Sequence, residues 1–199
     1  MKAICVYCGS SPGDSPVFIA QARRLGTVLA ERRVALVYGG GSVGLMGQLA
    51  DAALAAGGEV LGIIPRFWVG KVSHARLTRL HVVETMHERK AMMFELADGF
   101  VALPGGAGTL EEFLEMLTWG QIGLHVKPCG LLNVLGYYDP LVKLLEHAAE
   151  HRFMRPEHLK MVLLDDTPEG LLEQFARYQS PRIEKWLDRG REVDPRKVF

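Results

Sequence analysis

An arginine and a lysine stand side by side at Arg89 and Lys90, and three glutamates, Glu111, Glu112 and Glu115, surround or follow the end of the glycine-rich segment PGGAGTLEE, Pro104 to Glu112. Together these residue types could act on a phosphorylated sugar. A guanidinium offers planar, paired donors that phosphate or sugar oxygens accept. A carboxylate can stabilise positive charge developing on a sugar while orienting or deprotonating a water. Glycines between a strand and a helix let the backbone approach an anion, with free N–H groups and the positive end of the helix dipole directed at it. Pro104 to Glu112 is therefore the expected centre of an active site.

Each of these residues also has a purely structural reading. Thr109 and Glu112 fit a capping box, in which the threonine side chain satisfies one free N–H and the glutamate returns to another. Glu111 and Glu115 are alternative carboxylates, and spacing does not rank the three. Thr85 and Glu88 form a second capping box, which sets Arg89 and Lys90 in the first turns of a helix. The helix dipole disfavours cations there unless an anion is near. A bound ligand would supply that anion, and so would an ion pair with Glu88 or a neighbouring acid.

Two shorter patterns carry less. Gly39, Gly41 and Gly44 match GxGxxG, the mark of a dinucleotide-binding oxidoreductase, but that mark belongs after the first strand of its unit and calls for an acid ending the next strand. Here it follows the second expected strand, and Glu59 begins the next one. Cys5 and Cys8 spell CxxC inside a β-type run, where an odd separation turns the two sulfurs to opposite faces, so they read as buried structural thiols. His147 and His151 share a helix face without an accompanying ligand cluster, and no metal site is expected.

The elements that must position the candidate residues follow from short apolar runs alternating with helix-length segments, the pattern of a parallel sheet covered on both faces. Strands are expected at Ala3 to Tyr7, Ala35 to Tyr38, Val60 to Ile64, His81 to Val83, Gly99 to Leu103, Cys129 to Val134 and Met161 to Leu164. Ser15 and Pro16 mark the first helix start, and Phe18, Ile19, Ala22, Leu25, Val28 and Leu29 form its apolar stripe. The turns CGSSPG, YGGGSVGLMG and PGGAGTLEE each follow a strand. Three such turns at one sheet edge read as a phosphate- or nucleotide-binding rim. Arg66 to Arg79 lacks a strong period and is expected to be an irregular loop near the site.

With 199 residues the chain fits one α/β domain, expected over 1–180, followed by a charged tail, 181–199. Lysine plus arginine and aspartate plus glutamate each number 23, so no overall field draws nucleic acid or an anionic membrane. The apolar start is too short for a signal peptide, and no run nears the roughly 20 residues that span a bilayer. A cytoplasmic protein is expected.

CGSS near the start, GGGSVGLMG at Gly39 to Gly47, MHERKAMM at Met86 to Met93, PGGAGTLEE, and the following TWGQIGLHVKP and GLLNVLGYYD resemble the LONELY GUY family of cytokinin riboside 5′-monophosphate phosphoribohydrolases. The similarity runs from about Lys2 to Leu164 and includes the family motif PGGxGTxxE. It implies a Rossmann-like, doubly wound and mostly parallel sheet with helices on both faces. It also implies hydrolysis of the N-glycosidic bond of adenine-type nucleoside 5′-monophosphates, with N6-substituted bases among the candidates, and no cofactor.

By the same resemblance Arg89 and Glu112 are catalytic, and Ser10, Gly41, Met86, Lys90, Gly105, Gly106, Ala107, Gly108, Thr109 and Thr118 contact substrate. Lys71 stands where family members often carry an acid, which puts that acid's role in question here. The label "lysine decarboxylase-like" attached to the family finds no pyridoxal phosphate lysine in these motifs. The helices near Met86 and Thr109 are apolar almost all round, which fits deep burial or a partner, and the family implies a homodimer. A molybdenum-cofactor carrier of the same fold, binding without hydrolysis, is the main alternative.

Overall fold

In the computed structural model, which describes residues 1–181, the first strand β1 (Ala3–Tyr7) is buried at every position. An unbroken apolar run such as AICVY is suited to a strand covered on both faces of a parallel sheet. The chain continues through α1 (Pro16–Glu31), β2 (Ala35–Tyr38), α2 (Gly44–Ala55), β3 (Val60–Pro65), a 3-10 turn (Arg66–Trp68), β4 (Arg79–Val83), α3 (Met86–Leu96), β5 (Phe100–Ala102) and α4 (Ala107–Gln121). After these come β6 (Cys129–Leu132), a second 3-10 turn (Val134–Gly136), α5 (Asp139–Glu150), the single turn α6 (Pro156–Leu159), β7 (Val162–Asp165) and α7 (Pro168–Arg177).

The strands form one seven-stranded sheet in the order β4-β3-β2-β1-β5-β6-β7, with every neighbouring pair parallel. One face packs on α1, α2 and α7, and the other on α3, α4 and α5. This is the expected doubly wound α/β fold. All seven expected strands are present, the first two with the expected ends and the others with ends displaced by at most two residues. β6 stops short of Val134 because the chain turns there through Leu135, whose φ of 55° is left-handed and cannot continue a strand.

Local chemistry accounts for the elements that carry the site. Ser15 caps α1, its hydroxyl accepting from the Val17 N–H at 3.3 Å, with Pro16 in the first turn. The stripe Phe18, Ala22, Leu25, Val28 and Leu29 is buried, while Ile19 is only partly so. Gly26 lets α1 meet the backbone of α2 at Leu49 and Ala53, where a side chain would collide.

Along β1, Ile4 and Val6 face α1 and α2, whereas Cys5 and Tyr7 face α3 and α4. Cys8 packs with the first group, so the two sulfurs lie on opposite sides of the sheet. Burial pushes both thiols far above their usual range. His147 and His151 are exposed on α5 and just beyond it, with ring centroids 4.3 Å apart. Among the described residues no helix is long and apolar enough to cross a membrane. Most of the expected charged tail lies outside the described residues.

Candidate active site

The strand order reverses at β1, whose neighbours are β2 on one side and β5 on the other. Connections leaving such a pair diverge to opposite faces and open a crevice beyond their carboxyl ends. The loops here are tied at their base, where the Gly9 N–H donates to the Pro104 carbonyl at 3.0 Å and the Leu45 N–H to the Gly9 carbonyl at 3.1 Å. Above them lies a cleft of about 620 Å³, lined from the three glycine turns, the starts of α3 and α4, and the loop after β3.

The start of α4 corrects one expectation. The helix begins at Ala107, with Gly106 as an extended N-cap that offers no side-chain acceptor, so Thr109 is not the cap. Its buried side chain instead packs against Gly105, which has no room for a side chain of its own. The glycines thus leave the first N–H groups of α4 uncapped by any side chain, facing the region where Gly106, Gly108 and Thr109 line the cleft. Nor is Glu112 spent on a capping box.

Glu112 is paired with Arg89. Thr85 does cap α3, accepting from the Glu88 N–H at 3.1 Å, and Glu88 Oε2 accepts from the Glu84 N–H at 2.9 Å, one residue before the position expected of a capping box. The first turn of α3 then directs Arg89 and Lys90 toward α4, and both are buried. Arg89 Nη1 donates to Glu112, and Arg89 Nε donates to the Ile63 carbonyl at the end of β3 at 3.1 Å. Lys90 donates to Glu111 and, at 3.1 Å, to Glu115. The anions that balance these cations are therefore acids of α4, and Glu88 is not among them. Burial raises the Glu112 carboxyl above the usual glutamate range, an effect that the neighbouring Arg89 opposes without cancelling.

Among the sequence-predicted residues, Ser10, Gly41, Met86, Gly106, Gly108 and Thr109 line the cleft together with Arg89 and Glu112. Gly105 lines an adjoining hollow of about 670 Å³ beyond the Gly9–Ser10 turn. Ala107 is exposed at the helix start and belongs to neither lining. Lys90 is engaged with Glu111 and Glu115 and does not line the cleft. Thr118 is exposed, three turns along α4 from its start at Ala107 and outside the cleft lining. Lys71 is exposed and outside the lining as well.

Sequence reasoning missed the apolar wall of Val43, Met46, Ile64, Trp68 and Val72. Trp68 and Val72 belong to the irregular loop, whose position beside the glycine turn was the available signal. An antiparallel bridge between Gly41 and Ser73 fixes the loop there, reinforced by Ser42 N–H to Val72 carbonyl at 2.8 Å and His74 N–H to Gly40 carbonyl at 2.9 Å.

A parallel α/β sheet with a cleft at its switch point, where an uncapped helix start lies beside a buried arginine–glutamate pair, defines a Rossmann-like protein. A family model described as "Possible lysine decarboxylase" matches residues 46–175. A cytokinin riboside 5′-monophosphate phosphoribohydrolase of Rhodococcoides fascians is 48% identical over 182 residues, covering 90% of each chain. One of Arabidopsis thaliana is 45% identical over 179 residues, covering 89% of this chain and 82% of its own. The chain belongs to this phosphoribohydrolase family, the LONELY GUY family. Among solved structures, a molybdenum cofactor binding protein from the phototrophic bacterium Rippkaea orientalis aligns with a TM-score of 0.67 at 25% identity, over 89% of this chain and 97% of its own.

Proposed function

We propose that this chain hydrolyses the N-glycosidic bond of adenine-type nucleoside 5′-monophosphates, N6-substituted cytokinin forms among them, releasing free base and ribose 5-phosphate. The observation that carries the reading is the Arg89–Glu112 pair set beside the uncapped start of α4. The 5′-phosphate is received by the N–H groups of Gly106 to Thr109. That position brings the ribose toward Glu112, whose carboxylate stabilises the oxocarbenium character of the breaking bond and orients or deprotonates the attacking water. Arg89 holds Glu112 and offers its remaining donors to phosphate or sugar oxygens. The base lies against Met46, Ile64, Trp68 and Val72, a wall apolar enough to suit a substituted purine. Water is the nucleophile and no electron moves, so the reaction as written calls for no redox cofactor.

We further propose that the protein is a cytoplasmic homodimer. Ile122, Leu124 and Val126, at and beyond the end of α4, are 41%, 64% and 74% exposed, an apolar edge that a second copy would cover. Thr118 is exposed on the same helix, and its expected substrate contact would be made across such an interface.

The test is incubation of the purified protein with AMP and with isopentenylated AMP, followed by measurement of free base. Release from either substrate, lost in Glu112→Ala, supports the reading. Binding of nucleotide without release of base above that control would instead favour a carrier that does not hydrolyse.

A further inference from the structure

We propose that Gly39 positions Arg89, the absent side chain at residue 39 being the space in which the guanidinium is held against Glu112. This rests on the reading of Arg89 and Glu112 as the catalytic pair.

Arg89 is fixed on three sides. Its Nε donates to the Ile63 carbonyl at 3.1 Å, and its Nη1 donates to Glu112. The third nitrogen, Nη2, lies so close to Gly39 that a methyl group there would overlap it. Such a methyl would also stand 3.4 Å from Arg89 Cζ and 3.5 Å from Met46 Sδ. Gly39, directly after β2, is thus the wall against which the third branch of the guanidinium rests.

Gly39 also lines the cleft, but within the protein itself nothing other than Arg89 and the end of Met46 crowds this position. Gly40 and Gly44 have φ of 74° and 57°, left-handed values that exclude most side chains. Gly39 is not among the glycines with positive φ. At Gly44 and Gly47 a side chain would strike the backbone of Ser10 and Ser42, whereas the three nearest atoms at Gly39 belong to the ends of two side chains. Alanine is therefore compatible with the fold at residue 39, and Arg89 is what has to give way. Two glycines of the GxGxxG pattern, Gly39 and Gly44, are thus accounted for by contacts within this chain.

To restore van der Waals separation from an added methyl, Nη2 must retreat by roughly 1 Å, a displacement large enough at a reacting centre to cost about a hundredfold in rate. The retreat also weakens the contact that holds the Glu112 carboxyl down against burial. Its ionisation should therefore move to higher pH.

The experiment is a double-mutant cycle on base release from isopentenylated AMP, using Gly39→Ala, Arg89→Lys and the double variant, with melting temperatures measured for all. Lysine has no Nη2 to collide with the methyl. The expected result is a kcat about 10- to 100-fold lower in Gly39→Ala, with KM within about threefold and the acid limb of the rate profile moved upward. In the Arg89→Lys background the same alanine should change kcat by less than about threefold.

Equal fold-losses from Gly39→Ala in both backgrounds would overturn the inference while leaving the catalytic pair intact. So would a Gly39→Ala enzyme with wild-type kcat, or one whose loss of rate follows a large fall in melting temperature. Wild-type rates in both Arg89→Lys and Glu112→Gln would instead remove the catalytic reading, and this inference with it.

Discussion

Glu112 sits between two opposing influences, burial that favours its neutral form and a guanidinium that favours its charged form, and burial prevails in sign. If the ionised carboxylate carries the chemistry, the acid limb of kcat/KM should fall above the ordinary glutamate value of about 4.3. A limb at or below that value would mean that another group controls it. Glu112→Gln keeps the shape and a hydrogen-bond acceptor for Arg89 but removes the charge. It should lower kcat by about a hundredfold or more, with a smaller fall in melting temperature than Arg89→Ala because the amide oxygen still accepts from the guanidinium. Arg89→Ala is a less informative variant, because it leaves a buried carboxylate without its partner and should cost on the order of 3 kcal/mol in stability along with activity. Denaturant unfolding of Arg89→Ala beside Arg89→Lys would separate the two losses. The glutamate chosen from the family resemblance is the one that meets Arg89, yet spacing alone could not have chosen it. Its partner lies 23 residues away in the chain, and a local pattern carries no record of such a contact.

At the scale of elements, the helix starts on either side of the cleft are built differently. The start of α3 was legible because Thr85 both fits and performs its capping role. Thr85→Ala should cost about 1 kcal/mol in denaturant unfolding, since one free N–H at the start of the arginine-bearing helix loses its acceptor. The start of α4 was not legible. Glycine and threonine are both acceptable caps, and the choice fell on Gly106 because Thr109 is committed to packing against Gly105. The irregular loop after β3 is also tied to α2, with Asp51 receiving His74 Nε2 at 3.2 Å and Arg76 Nη2 at 2.7 Å. His74 Nδ1 accepts from the Arg76 N–H at 3.2 Å, so its other nitrogen is the one that donates to Asp51. Asp51→Ala removes that latch and loosens the wall made by Trp68 and Val72, which the Gly41–Ser73 bridge still holds. The loss of about 1 kcal/mol of positioning should raise KM for isopentenylated AMP about fivefold with kcat nearly unchanged. An equal fall in kcat would mean that the loop serves the reacting centre and not the base.

For the molecule as a whole, the alternation of apolar runs and helical segments revealed all seven strands and the layering, because burial on two faces is written into residues such as Ile4, Cys5 and Val6. It did not reveal how the helices of one face are tied to one another and to the sheet, and His125 is such a tie. This residue is 8% exposed, against the rings of Phe94 on α3 and Phe100 on β5. Its Nε2 donates to the Met116 carbonyl of α4 at 2.7 Å, and its Nδ1 accepts from the Lys127 N–H at 3.0 Å. Both nitrogens are thereby committed to the neutral ring. Desolvation lowers the pKa of His125, and the charge of Lys127 lowers it further, against the opposing pull of the Met116 carbonyl. Below about pH 6.5 the unfolded chain binds a proton that the folded chain resists, so stability falls with acidity by up to about 1.4 kcal/mol per pH unit. The Asp98 carboxyl, held below its usual range by N–H donors from Lys2 and Ala3, contributes its own loss only at lower pH, when it too must be protonated. Thermal melts between pH 7.5 and 5.5 should therefore decline from about pH 6.5 downward, ahead of the carboxylates. His125→Gln should melt lower at pH 7.5, having lost a fitted ring, yet vary less across that range. If its acid slope matched that of the wild type, the decline would have to be assigned to other groups, and His125 would be a packing residue alone.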